Sequence, residues 1–190
     1  MRPHAVFRSW CRHCVRGQGI NDPHKRIATG HATIPIISID YWIPGESKDE
    51  RRERKHGRSE ILQKGMPILV MKERQRGYII AEVVTKKGED PYAIRRNTQI
   101  IEELGLKKFV FKSDQEPAIV SLKRAVARNL QDVEIVPEES PVGEHESNGD
   151  IENAIQRVQG KFRTLRDALE SRYGKKLPED HWTIPWLVKH

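Results

Sequence analysis

Cysteine is nearly absent from this chain, with two residues, Cys11 and Cys14, in 190. Two thiols cannot build the disulfide framework of a small secreted domain. No uninterrupted apolar run approaches the ~20 residues that a membrane span needs. The opening Met1-Arg2-Pro3-His4-Ala5-Val6-Phe7-Arg8 lacks the apolar stretch and small-residue cleavage site of a secretory signal. These absences lead to the expectation of a reducing, intracellular setting and no membrane partner. Aromatics are sparse at 6%, and 36% hydrophobic against 32% charged residues, with a mean hydropathy of -0.71, describes a modest core under a heavily charged surface. That length suits one domain with appended segments better than two.

What is abundant is positive charge, a formal +7, and it is unevenly placed. Residues 1–31 carry six Lys/Arg against one acid and residues 157–176 carry seven against two, whereas residues 137–150 carry five acids and neither Lys nor Arg. Basic flanks around an acidic centre suit a protein that grips a phosphate backbone at its edges and cations in the middle, although a merely solvated surface would have the same composition.

Cys11-Arg12-His13-Cys14 could clasp one edge of a tetrahedral Zn(II). Two more ligands are needed, and none of His4, His13, His24 and His31 makes a familiar spacing with the pair, so two unmetallated thiols are an equal reading. Residues 15–32 read as a linker, with Gly17, Gly19, Pro23 and Gly30. Ile34 to Ile43 is a strand with apolar residues on both faces, interrupted by Asp40, a carboxylate expensive to bury unless paired or bound to a cation. Residues 44–64 hold seven Lys/Arg and five acids with only Ile61 and Leu62 as sizeable apolar residues, which reads as a charged insertion. Met66 to Lys72 and Tyr78 to Thr85 are two more strands around a turn at 73–77, giving an antiparallel meander. Asp90-Pro91 opens a helix that closes at Gly105. Lys107 to Lys112 is a fourth strand ending at Ser113-Asp114, followed by Gln115-Glu116-Pro117 and a helix carrying Ile119, Leu122, Val126 and Leu130. Val133 to Val136 is a short fifth strand. After the acidic loop, Ile151, Ile155, Val158, Phe162, Leu165 and Leu169 trace the apolar stripe of a long helix ending at Gly174. Glu152, Gln156, Gln159 and Arg163 share one flank of that stripe, with Asp150, Arg157 and Lys161 on the other. Pro185 marks the start of a further short helix in the tail.

Strand, strand, strand, helix, strand, helix, strand, helix is the element order of an RNase H-like sheet, and three motifs make the likeness specific. Asp40 ends the first strand, Lys112-Ser113-Asp114-Gln115 follows the fourth, and Ser147-Asn148-Gly149-Asp150-Ile151-Glu152-Asn153 opens the long helix. Together they resemble the acidic triad of retroviral and LTR-retrotransposon integrase catalytic cores, with Gln115 and Glu116 departing from the usual glycine. The 37 residues between Asp114 and Glu152 slightly exceed the family's usual interval, which would select Asp150. The position of Gly149 three residues before Glu152 favours Glu152.

The resemblance implies an α/β fold: an RNase H-like mixed five-stranded sheet flanked by helices in three α/β/α layers. It implies a division into residues 1–32, a remnant of a zinc-binding segment with linker, a core at 33–173, and a truncated segment at 174–190. Cys11 and Cys14 would be the last two ligands of that zinc segment. It further implies Mg(II) or Mn(II) held by Asp40, Asp114 and Glu152, DNA (element ends and target) contacted by Gln156, Gln159 and Arg163, a homo-oligomer in the full-length family member, and a nuclear location. The implied activity is DNA 3′-end processing and strand transfer. A nuclease on the same sheet that only hydrolyses, or an inactive nucleic-acid-binding relic, are the alternatives.

Overall fold

The computed structural model describes residues 8, 10–18, 34–45, 65–139 and 145–189. The charged insertion beyond residue 45, His4, His24, His31 and residues 140–144 lie outside the described residues.

Five strands form one sheet: β1 (Ile36–Trp42), β2 (Ile68–Glu73), β3 (Tyr78–Val83), β4 (Lys108–Ser113) and β5 (Glu134–Glu139), in the order β3-β2-β1-β4-β5. The β1-β2-β3 meander is antiparallel, while β4 pairs parallel to β1 and β5 parallel to β4. The meander turns at 74–77, where Glu73 accepts the backbone N–H groups of Gln75 and Arg76 and Gly77 takes a left-handed φ of 68°. This is the mixed, helix-flanked α/β sheet expected from the sequence. The strand bounds shift by one to three residues, most at β5, which runs on through Pro137 to Glu139. As an edge strand it tolerates proline, because its outer edge has no ladder bond to lose.

Alternation along the strands sends two apolar sets to opposite faces. Ile37, Ile39, Tyr41, Leu69, Met71, Phe109 and Phe111 meet α2 (Pro91–Leu104) and α3 (Pro117–Asn129) on one side. Both helices begin with proline, and Asp90 caps α2 by accepting the Ala93 N–H while Gly105 closes it in the left-handed region. On the other face Trp42, Ile68, Val70 and Ala81 pack against α4 (His145–Tyr173) and α5 (Ile184–Lys189). Trp42 meets Phe162 edge to face at 5.4 Å. Each fully buried side chain of this size contributes about 1.5–3 kcal/mol relative to exposure.

Two expectations are corrected. The long helix starts at His145, not near residue 150, so Ser147, Asn148 and Gly149 are helical and Glu152 sits past the second turn. The reading of 15–32 as linker fails at its start, because α1 (Arg12–Gln18) is a helix lying on α4. A Cβ on Gly17 would stand 2.1 Å from Thr164 Oγ1 and 2.6 Å from its backbone N, so only glycine permits this approach. The short helix expected around Pro185 is present as α5: its Ile184, Leu187 and Val188 are buried in the second core, and Lys189 Nζ reaches buried Glu82 at 3.0 Å alongside Arg96.

Glu170, near the end of α4, is held to Lys176, the Leu177 N–H and Arg166. Burial pushes its carboxyl upward, but these donors outweigh it and bring it down to about 2. A folded-state value below the unfolded 4.5 gives stability present above pH 4.5 and lost as pH falls toward 2. Thermal unfolding across that window should show Glu170→Gln less stable than the parent at neutral pH, with the gap closing in acid. Gly17→Ala should cost about 1–3 kcal/mol in denaturant unfolding by forcing α1 off α4.

Candidate metal and nucleic-acid site

β1 and β4 are parallel neighbours, with Ile36 level with Val110 and Ser38 level with Lys112. Carried on by two residues, the register sets Asp40 level with Asp114. The same alternation turns both away from the face of Ile39, Tyr41 and Phe111 and toward the face that α4 covers. Asp40 is 2% exposed, and its Oδ1 accepts the Tyr41 N–H at 2.7 Å. Asp114 is half-buried, and its Oδ1 accepts the Glu116 N–H at 3.2 Å in the loop before α3. Lys87 clamps that loop through Glu116 at 2.9 Å. Lys123 of α3 lies under the same sheet end, donating to the Glu138 carbonyl at 2.9 Å; burial pulls its ammonium down to about 8, against the opposing fields of Glu139, Glu138 and Asp114.

The third carboxylate depends on how α4 is turned. Asp150 is tied to β2, its Oδ1 2.5 Å from Lys72 Nζ and its Oδ2 3.8 Å from Arg74 Nε. At 100° per residue Glu152 points about 200° away from Asp150, with buried Ile151 between them. With Asp150 facing β2, half-buried Glu152 lies on the opposite flank of the helix. The helix then follows β1, from Lys72 beside Ser38 to Phe162 against Trp42.

Of the sequence candidates, the β1–β4 register carried on by two residues thus turns Asp40 and Asp114 toward the same face, and Glu152 lies on the flank of α4 opposite Asp150. The fold does not close them into a ligand set: among the described residues no group of three His, Cys, Asp or Glu side chains is placed to hold a metal ion. In chemistry the donor types suit a hard cation, since all three are carboxylates.

Farther along the same flank Gln156 is exposed and Gln159 half-buried, both open to a ligand. Arg163 is not free in the same way, because its Nε donates to the Gly17 carbonyl at 3.1 Å and so finishes α1. Cys11 and Cys14 are buried free thiols at the start of α1. His13 faces away from zinc chemistry, its Nδ1 bonded to Asp167 of α4, and that bond holds the Asp167 carboxyl low. The depression lined by Arg12, His13, Ala168, Ser171 and Arg172 lies at this α1–α4 seam, remote in the fold from the carboxylates. Lys72 had no sequence signal; it is a lone strand lysine whose partner only the fold supplies.

No protein-family model matches the chain, and no curated protein sequence does. Solved structures do. The catalytic core domain of bovine immunodeficiency virus (BIV) integrase is 11% identical, with 80% of this chain and 77% of that one covered and a TM-score of 0.44. A chain of the simian T-cell lymphotropic virus intasome in complex with PP2A regulatory subunit B56 gamma is 15% identical, with 80% of this chain and 46% of that one covered and a TM-score of 0.41. The chain is similar to these retroviral integrase structures over 80% of its length, and its own sheet is a five-stranded mixed α/β sheet flanked by helices. Identities this low bear on fold alone.

The Cys11 thiol is drawn below its usual range by the Cys14 backbone N–H, whereas burial raises that of Cys14. Iodoacetamide at neutral pH should therefore alkylate Cys11 before Cys14, as peptide mass spectrometry would show.

Proposed function

We propose that this chain is an integrase-like polynucleotidyl transferase core acting on DNA, with Asp40, Asp114 and Glu152 holding Mg(II) or Mn(II). What supports this reading most is the register of β1 and β4, which, carried on by two residues, turns two aspartates toward the face that α4 covers, with Glu152 on the flank of α4 opposite Asp150. Bound there, the cations would activate a water or a DNA 3′ hydroxyl and stabilise the leaving oxyanion of an in-line phosphoryl transfer.

The chain's own residues supply position and exclusion. Asp40 is locked in the sheet with Tyr41 and Trp42 buried after it, so its carboxylate is screened from bulk water. Asp114 is carried by a loop tied between Lys87 and the first turn of α3. Glu152 rides on α4, and Gln156 and Gln159 continue its flank as neutral amide donors for a phosphate backbone. Arg163 remains exposed enough to add charge beside them while it holds α1. A nuclear site of action and self-association go with DNA as the partner. Zinc at Cys11 and Cys14 would need ligands from beyond the described residues.

Asp40→Asn, Asp114→Asn and Glu152→Gln should each lower Mn(II)-dependent joining of a labelled DNA 3′ end to a second duplex by about a hundredfold or more. Cleavage without joined product in the parent protein would instead favour the hydrolytic nuclease. Retained joining in any variant would remove that residue from the site.

A further inference from the structure

We propose that the seam between α1 and the end of α4 is a binding site for single-stranded nucleic acid, separate from the carboxylates and independent of any metal. The contacts across the seam fix the course of the two helices. Gly17 meets Thr164 and gives its carbonyl to Arg163, His13 bonds Asp167, and Arg12 and His13 reach the level of Ala168, Ser171 and Arg172. Rising residue numbers on α4 thus face falling numbers on α1, so the two run antiparallel. They touch at the Gly17 end, where no Cβ fits, and open at the other end into a depression of about 420 Å³ lined by Arg12, His13, Ala168, Ser171 and Arg172. Two guanidinium groups and a hydroxyl around buried Ala168 suit a phosphate with part of its sugar.

The open end also carries exposed aromatic rings. Trp10 stands two residues before Arg12 and is 77% exposed, and Tyr173 follows Arg172 and is 66% exposed. The antiparallel course puts both at that end of the seam. Each ring adjoins a guanidinium, with Arg8 lying 5.3 Å over the Trp10 ring. The nearby acids are already engaged: Asp167 holds His13 and Arg16, and Glu170 holds Arg166 and Lys176. Residues 8–18 carry Arg8, Arg12 and Arg16 and no acid, so the rim is positive. Cations interleaved with rings match the alternation of phosphate and base along a strand, and a ring stacks only on a base left unpaired. Duplex DNA or an acidic protein segment would use the cations and leave the rings without flat partners.

The test is fluorescence anisotropy of the full chain with short labelled oligo(dT) and oligo(rU), a duplex of the same length and a polyglutamate peptide, all in EDTA so that no divalent cation takes part. The parent should bind at least one of the single strands more tightly than the duplex, and the tighter of the two identifies the strand as DNA or RNA. Trp10→Ala should weaken that binding about tenfold, while Trp10→Phe, which keeps a ring, retains most of it. Arg12→Gln combined with Arg172→Gln should weaken it about tenfold and flatten its dependence on salt. All three positions are exposed, and circular dichroism checks that each variant stays folded. A duplex bound as tightly as the single strands, with Trp10→Ala without effect, overturns the stacking site and leaves a plain polyanion surface. Polyglutamate bound as tightly as the strands overturns it in favour of an acidic protein. Failure of every strand to bind overturns it outright, and Mn(II)-dependent joining still judges the carboxylates separately.

Discussion

The helix α4 is packed on two opposite sides, and the rest of the molecule depends on that. Its inner stripe, Ile151, Ala154, Ile155, Val158 and Phe162, closes the second core against β1 and β2. Its outer side at Gly160, Arg163, Thr164 and Asp167 receives α1 through a glycine contact, an arginine cap and a histidine–carboxylate bond. Near its end, Arg166 and Glu170 tie down the chain at Lys176 and Leu177 that leads to α5. A helix gripped this way along its second half cannot slide, so its first half is delivered over the sheet at a fixed height.

Charge is distributed to match. Glu82, Glu170, Asp167 and Asp150 each meet a lysine, arginine or histidine, and each of these contacts joins elements distant in sequence or closes a chain end. At the carboxyl end of the sheet Asp40 accepts the N–H of Tyr41 in its own strand and Asp114 that of Glu116 in the loop after β4, contacts that fix the direction of each carboxylate.

Much of the fold was legible because its signals are local. The capping aspartate and proline of α2, the proline of α3, the stripe of α4 and the alternation of β2 and β3 each write one element in a few residues. The order of those elements then led to the sheet. What was not legible is what tertiary packing decides. His145-Glu146-Ser147-Asn148-Gly149 is polar and glycine-containing and reads as loop, yet it is the head of a helix whose later turns are anchored. Gly17 reads as a linker glycine, and its purpose exists only once Thr164 is opposite it. Asp40 and Asp114 were found as strand-end carboxylates, but their shared face follows from a parallel register that no single stretch encodes. The ion pair between Asp150 and Lys72 likewise joins a helix to a strand far from it in sequence, and no local pattern announces it.

Gly149 stands inside α4 with empty space around it, although glycine in a helix interior costs about 1 kcal/mol relative to alanine. Helix unwinding starts from ends, and each turn lost lowers the cost of losing the next, so the weakest link sets how far fraying runs inward. Placed three residues before Glu152 and ahead of the buried Ile151, that glycine weakens the head of α4, and the packing of its later turns is what holds the helix together through it.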